Sequence, residues 1–254
     1  MNGHSGSLID ISEQQVIKFA DPKDPNRLQR QVNKQLKFLG LDHGFKVPAI
    51  FATFKTKICM ERLHGWSAAW FLKNESIPEV RIFTETLIKF IRFCVECSPV
   101  LTISRTVMLD KYDQVKRDSS FDFEFYNLPA TLELPIGLCH GDFTLSNMMY
   151  TSRGRFATYD FLDCYIETPL ADIAKLRQDT RHYWSFFIDN LELNNRARMM
   201  LNYIDREIQK EFEKEDWMRY ARHMEILALL RIFPYATESK TEDYLSARLE
   251  CLKI

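Results

Sequence analysis

Two carboxylates and an amide stand at spacings that let them serve one reaction. Cys139-His140-Gly141-Asp142-Phe143-Thr144-Leu145-Ser146-Asn147 puts an acid and an amide five residues apart on a short loop. Thirteen residues beyond Asn147 comes Tyr159-Asp160-Phe161, with aromatic neighbours on both sides of the acid. Phosphoryl transfer needs little covalent help from a protein; it needs positioning and neutralised charge. One carboxylate must accept the hydrogen bond of the attacking hydroxyl, while an amide oxygen and a second carboxylate hold Mg²⁺ on the phosphates. Mg²⁺ prefers hard oxygen donors, keeps several waters and takes few protein ligands. Asp142, Asn147 and Asp160 supply that set in that order. With average residue frequencies, His-Gly-Asp followed five residues later by Asn arises in roughly one chain per thousand of this length. Gly-Asp and Ser-Asn are also ordinary turn formers, but turn propensity leaves an acid inside an apolar strand unexplained.

The elements that must position these groups divide into a β-rich start and a helical remainder. Gly6 to Ile11 and Gln15 to Ala20 read as a hairpin across Ser12-Glu13-Gln14. Asp24-Pro25 opens a helix, with Asp as N-cap and Pro in the first turn. Its apolar stripe runs through Leu28, Val32, Leu36 and Leu39, and Gly40 closes it. Ala49 to Phe54 and Lys57 to Met60 form a second strand pair, and Glu61 to Gly65 marks a boundary. The expected division is residues 1–62, a small β-rich nucleotide-covering lobe, and 63–254, a helical lobe with the catalytic loop and acceptor site. Helices are expected at 66–73 and 78–97, the latter carrying Val80, Phe83, Leu87, Phe90, Ile91 and Cys94. Residues 98–135 give no clear pattern apart from a helix at 106–116. Beyond the motif, helices are expected at about 169–188, 191–213, 216–232 and 241–252.

Composition removes several function classes. Thirty-four basic residues face 35 acidic ones, a net charge of −1, so no excess positive charge exists to neutralise a nucleic-acid backbone. Hydrophobic residues at 46% and charged residues at 27% fit a globular domain. The polar start lacks an apolar targeting core, and the longest apolar runs are far too short to cross a bilayer. Of the six cysteines, only Cys94 and Cys97 have metal-like spacing, with no second pair, so no zinc or disulfide role is expected. These features imply a cytoplasmic protein that neither inserts into membranes nor binds nucleic acid.

The segment from about 138 to 180 resembles the aminoglycoside phosphotransferase and choline kinase-like family, relatives of the protein kinases. Its members carry a His-Gly-Asp-(four residues)-Asn loop, an Ile-Asp-Phe-like strand, and an Asp-hydrophobic-Ala helix start, present here as Asp172-Ile173-Ala174. The resemblance implies an α+β, bilobal protein-kinase-like fold, with a small, truncated β-rich N-lobe and a larger, mostly helical C-lobe. It implies an ATP- and Mg²⁺-dependent phosphotransferase acting on a hydroxyl of a small molecule such as a sugar, an amino alcohol or an aminoglycoside. By that likeness Asp142 is the catalytic base, Asn147 and Asp160 bind Mg²⁺, and His140 and Asp172 are structural. Val16-Ile17-Lys18 looks like the strand that presents a lysine to the α- and β-phosphates. Met60 to Gly65 resembles the hinge that receives adenine, so Met60 and Glu61 would edge the nucleotide pocket. Gly3 and Gly6 could wrap a phosphate through backbone N–H groups.

Two departures stand out. Relatives pair the phosphate-contacting lysine with a Glu on the following helix, but residues 25–41 contain no acid and Gln31 sits about where that Glu would lie. Only Asn2 to Ser7 precede the hairpin, so the first strand of the small lobe is also missing from the pattern. Together these raise the alternative of a catalytically weakened nucleotide-binding regulatory module. A protein substrate is disfavoured, because no long activation segment separates Asp160 from the helix opening near Pro169. For the acceptor, Asp163 and Trp184 are the leading candidates, with Tyr183, Trp217 and Tyr220 as further rings and Glu167 as either an acceptor ligand or a helix cap. Asp160-Phe161-Leu162-Asp163 and Lys175 to Asp179 also resemble a bacterial branch that accompanies surface-polysaccharide enzymes.

Overall fold

A computed structural model describes residues 8–117, 119–236 and 238–253. Gly3 and Gly6 lie outside them. The chain forms two compact units: one comprises the residues up to Phe90 together with His140–Asp163, the other Ile91–Cys139 with Cys164–Ile254. The His-Gly-Asp loop and Asp160 thus belong to the same unit as the β-rich N-terminal segment.

In the first unit, strands β1 (Ile9–Ile11), β2 (Gln15–Phe19), β3 (Ile50–Thr53) and β4 (Lys57–Glu61) form an antiparallel sheet in the order β1-β2-β4-β3. Register pairs Lys18 with Ile58 and Val16 with Met60. Side chains alternate across a strand, so Val16, Lys18, Ile58 and Met60 share one face. Helix α1 (Pro25–Leu36) covers that face: Leu28 and Val32 pack on Ile58, with Ala20, Ile50 and Met60 around them. Its start is as expected, with the Asp24 carboxylate accepting the Arg27 N–H at 3.2 Å. Its end is not. The helix stops at Leu36, which is 49% exposed, and Phe38 rather than Leu39 enters the core. Phe38 stacks against Phe90 at 5.4 Å and packs on Phe161 at 4.9 Å. A buried ring outweighs one more helical turn, because an aromatic side chain removes far more apolar surface from water.

A short strand that the sequence did not reveal, β5 (Gly65–Ser67), leads into α2 (Ala68–Asn74) and then α3 (Ile77–Glu96). Strand β5 pairs with β8 (Met148–Thr151), which pairs with β9 (Phe156–Thr158). Gly65 is required by the close approach: a Cβ there would sit 2.0 Å from the Tyr150 carbonyl oxygen. On α3, Val80, Phe83, Leu87, Phe90, Ile91 and Cys94 are all buried, as the helical spacing predicts.

In the second unit, the unpatterned stretch 98–135 resolves into strands β6 (Val100–Ser104) and β7 (Thr131–Pro135), paired antiparallel around α4 (Thr106–Lys116). No hairpin signal exists because the two strands are joined by a helix and an aromatic turn instead of a tight loop. Helix α5 (Pro169–Thr180) is buried along its whole length and packs on α7 (Asn195–Phe212) and α8 (Ala221–Leu230). A helix enclosed on every side has no polar face to reveal its period. The single helix expected over 169–188 is broken: Tyr183 takes φ 63°, and α6 (Trp184–Ile188) starts anew. The fully buried Asp179 fixes this break by accepting the Ser185 N–H at 2.6 Å. The segment 216–232 likewise opens as a 3₁₀ turn, Asp216–Tyr220, before α8, and α9 (Ser239–Glu250) closes the chain. No helix among the described residues is long and apolar enough to cross a membrane.

Candidate active site

The loop around Asp142 is held from below by an aromatic core. Phe143 is fully buried and stacks on Phe90 at 4.5 Å. His140 is fully buried and stacks on Phe161 at 4.2 Å. Between them Gly141 adopts φ 88°, a left-handed conformation that glycine takes without steric cost. Asp142 is thereby lifted out of a rigid floor.

His140 also organises the loop by hydrogen bonding. Its Nδ1 accepts the Asp142 N–H at 3.2 Å, so the ring proton sits on Nε2, which donates to Thr158 Oγ1 at 2.8 Å. Thr158 Oγ1 in turn donates to the Asn147 carbonyl at 3.2 Å. Burial pushes the His140 pKa down to about 3, with the Asp142 carboxylate pulling more weakly the other way. The ring is therefore neutral, as its acceptor role at Nδ1 requires.

The three oxygen-bearing groups are brought together by backbone bonds. The Tyr159 N–H donates to the Asn147 carbonyl at 3.1 Å, and the Leu162 N–H to the His140 carbonyl at 3.0 Å. Asn147 directs its amide hydrogens at Asp142, 2.9 Å from Oδ2 and 2.8 Å from the backbone oxygen. That leaves Asn147 Oδ1 as a donor for a cation. The acid expected inside an apolar strand instead follows it: β9 ends at Thr158, and Asp160, at φ 61°, takes a left-handed conformation that Asp tolerates better than most residues. An amide oxygen and a carboxylate on adjoining segments form the kind of all-oxygen pair that suits Mg²⁺.

Lys18 resolves the first departure in an unexpected way. Its ammonium, on a side chain only 8% exposed, lies 2.5 Å from Asp160 Oδ1. The lysine therefore pairs with the acid after β9, not with helix α1. That helix sends cations toward the same segment: Arg30 Nε donates to Asp163 at 2.8 Å, and Lys34 Nζ to the Leu162 carbonyl at 2.5 Å. Sequence reasoning missed Arg30 and Lys34. The signal was present in the absence of any acid on α1, but their partners are more than 120 residues away in the chain.

The remaining candidates are placed less favourably. Met60 and Glu61 lie within β4, not on a free hinge; the Glu61 N–H is spent on the Ala49 carbonyl, and its carboxylate pairs with Lys46. Burial raises the Glu61 pKa, but the bond from Lys46, the Ala49 N–H and the charges of Lys46 and Arg153 together outweigh it and hold it below the ordinary range. Asp163 is already engaged by Arg30, so an acceptor would have to share it. Trp184 lies in the second unit, packed near Phe187 and Tyr244 at 5.9 and 6.0 Å. Tyr183 has the guanidiniums of Arg198 and Arg248 over its ring, and Trp217 and Tyr220 are buried core residues. None of these three is a free stacking platform. Asp172 is wholly buried in the first turn of α5, where the helix dipole favours a carboxylate.

The sequence profile of the phosphotransferase enzyme family matches residues 102–208, a span that contains Asp142, Asn147, Asp160 and Asp172. That segment is similar to the phosphotransferase enzyme family. The resemblance seen in the motif is thus borne out by an independent match over somewhat less than half of the chain. Among solved structures, this phosphotransferase-like chain is similar to an aminoglycoside phosphotransferase, APH(2'')-IIa, solved with gentamicin. The TM-score is 0.61 at 14% identity, over 99% of this chain and 88% of that one. It is also similar to the ADP-bound aminoglycoside phosphotransferase APH(2'')-Ib, with TM-score 0.55 and 14% identity over 96% and 91% of the chains. A third match is an ethanolamine kinase from Plasmodium vivax, with TM-score 0.51 and 12% identity over 98% and 82%. At such identities the matches establish the fold, an α+β fold of the kinase-like phosphotransferases. No curated protein matches the chain by sequence.

Proposed function

We propose that the chain is an ATP- and Mg²⁺-dependent phosphotransferase that phosphorylates a hydroxyl of a small molecule: a sugar, an amino alcohol or an aminoglycoside-like compound. The observation that carries this reading is the bonding between Asp142 and Asn147. The amide that would hold the metal donates to the carboxylate that would serve as base, and so orients Asp142. Asp142 accepts the hydrogen bond of the acceptor hydroxyl and takes its proton as the oxygen attacks. Asn147 and Asp160 would hold Mg²⁺, which neutralises phosphate charge when bound. Lys18 holds Asp160 in place, and nucleotide phosphates would compete for the same ammonium. Met60 and Glu61 border the nucleotide through β4, and His140 and Asp172 are structural. Asp163 and Trp184 are the acceptor-side candidates, the first shared with Arg30.

The test is Mg²⁺-dependent ADP release, screened over amino alcohols, sugars and aminoglycosides. Asp142→Asn should lower kcat by about 10²–10⁴, the usual worth of a general base, and leave ATP binding intact. Wild-type turnover in that variant would reject Asp142 as base. One observation favours a second reading, the nucleotide-binding regulatory module: Lys18 and Asp160 neutralise one another, and α1 offers no acid in exchange. A ligand that binds only the folded state raises the melting temperature by mass action. If ATP raises it, with or without Mg²⁺, while no acceptor in the screen elicits ADP release, the regulatory reading gains; ADP release with any acceptor excludes it.

A further inference from the structure

Glu167 does not cap the helix that follows it. Thr168 does, accepting the Leu170 N–H at 3.3 Å, and Glu167 turns instead to two cysteines. Its Oε2 accepts the Cys139 S–H at 3.1 Å, and its Oε1 accepts the Cys164 backbone N–H at 2.8 Å. The sulfurs of Cys139 and Cys164 and a carboxylate oxygen of Glu167 all lie within 4.8 Å of one another. Cys139 is fully buried, whereas Cys164 and Glu167 are partly exposed and give the cluster access to solvent. No spacing rule finds this group, because 24 residues lie between the two cysteines.

We propose that Cys139, Cys164 and Glu167 form a binding site for a thiophilic divalent cation, Zn²⁺ being the chemical type. Two sulfurs and one carboxylate oxygen match the ligand preferences of Zn²⁺, whose Zn–S and Zn–O bonds of about 2.3 and 2.0–2.2 Å place such ligand atoms roughly 3.5–4 Å apart. The observed spread requires only a small contraction. Three protein ligands leave a fourth position open, as in exchangeable and catalytic zinc sites rather than closed structural ones. The backbone bond from Cys164 to Glu167 already orients the carboxylate, as outer-shell partners do in metal sites. Binding breaks two S–H bonds and forms two S–Zn bonds, and two protons leave to the solvent.

The carboxylate also argues against the other chemistry open to paired cysteines. A negative charge 3.1 Å from a thiol opposes the thiolate that oxidation requires. A cation reverses the balance, because it stabilises all three anionic groups together. The bound ion would join the residues on either side of the 140–163 segment, since Cys139 precedes His140 and Cys164 follows Asp163.

The test uses the full chain, stripped of metal and reduced. Titration with Zn²⁺ against a chromophoric chelator should give about one equivalent bound with release of about two protons. Co²⁺ in its place should give a thiolate-to-metal charge-transfer band. Cys164→Ser should abolish that band, while Cys97→Ser and Cys251→Ser, at exposed cysteines outside the cluster, should leave it. Because Cys164→Ser could disturb folding, a second measurement uses the wild type alone: Zn²⁺ should protect Cys164, and not Cys97 or Cys251, from alkylation mapped by mass spectrometry. Absence of saturable Zn²⁺ binding, alkylation of Cys164 unchanged by Zn²⁺, or facile Cys139–Cys164 disulfide formation with no metal uptake would each overturn the proposal. None of these readouts depends on phosphotransfer, so failure here leaves the proposed activity standing, and failure of the activity leaves the site standing.

Discussion

His140 makes the stability of the protein depend on pH in a way that one substitution can isolate. Its folded-state pKa is pushed from 6.5 to about 3 by burial, while the unfolded chain titrates near the ordinary value. Between those two values the unfolded state binds a proton that the folded state refuses. Stability therefore rises with pH in this window and falls as the pH drops through 6.5. The loss accumulates at about 1.4 kcal/mol per pH unit, which integrates to about 2 kcal/mol at pH 5. Gln at position 140 can accept the Asp142 N–H and donate to Thr158 but cannot protonate. At pH 7.5 the His140→Gln variant loses packing on Phe161 and is less stable than the wild type. At pH 5 the wild type carries its protonation penalty and the variant does not, so the gap narrows by about 2 kcal/mol, or roughly 4–8 °C in melting temperature for a domain of this size. His43 and His223, also lowered by burial, steepen the slope in both proteins and cancel in the difference. The assay is urea unfolding of both proteins at pH 7.5, 6.5, 5.5 and 5. A gap that stays constant over that range would refute the reasoning, because it would mean that the folded protein accommodates a charged ring at this position.

Two further outcomes test the framework. Gly65→Ala places a Cβ 2.0 Å from the Tyr150 oxygen and 2.7 Å from the Thr151 Cα; since the obstacle is backbone, β5 must leave β8, at a cost of about 3 kcal/mol, the upper end for overpacking. Thermal unfolding should show a fall of roughly 6–12 °C, and an unchanged melting temperature would contradict the β5–β8 register. In the second unit, Glu225→Gln keeps shape but removes the buried charge that accepts from His182 at 2.7 Å and Arg181 at 3.3 Å and faces Arg177 at 3.8 Å. Burial raises the Glu225 pKa, but the His182 bond and the nearby cations outweigh it and hold it below the ordinary range. Breaking such a buried network costs about 3–5 kcal/mol, which thermal unfolding should register as a fall of roughly 6–20 °C.

What the sequence revealed and what it hid follow from the range of the interactions. The loop carrying Asp142 and Asn147 and the strand before Asp160 were legible because their geometry is local: a five-residue step, a glycine where φ must be positive, an apolar strand. The α3 stripe was legible because one side faces the core and the other water. The helix opening at Pro169 was expected, but its break at Tyr183 was not, because the buried Asp179 that fixes it gives no local signal, and β6 and β7 hid their pairing because a helix stands between them. Phe38 shows a third kind of failure, in which a ring with two aromatic neighbours far along the chain ends a helix that the local pattern would have continued.

Helix α1 shows how long-range pairing changes the meaning of a residue. Read locally, Gln31 is a missing acid, and Lys18 is a cation that has lost its partner. In the fold, Lys18 bonds to Asp160 and α1 grips the next residues with Arg30 on Asp163 and Lys34 on the Leu162 carbonyl. A glutamate on α1 would compete with Asp160 for Lys18 and would sit beside the helix's own cations. The lack of an acid on α1 and the placing of Arg30 and Lys34 are therefore two parts of one arrangement. The segment after β9 is held by a strand lysine and by a basic helix together, so Asp160 keeps its position without an acid on α1.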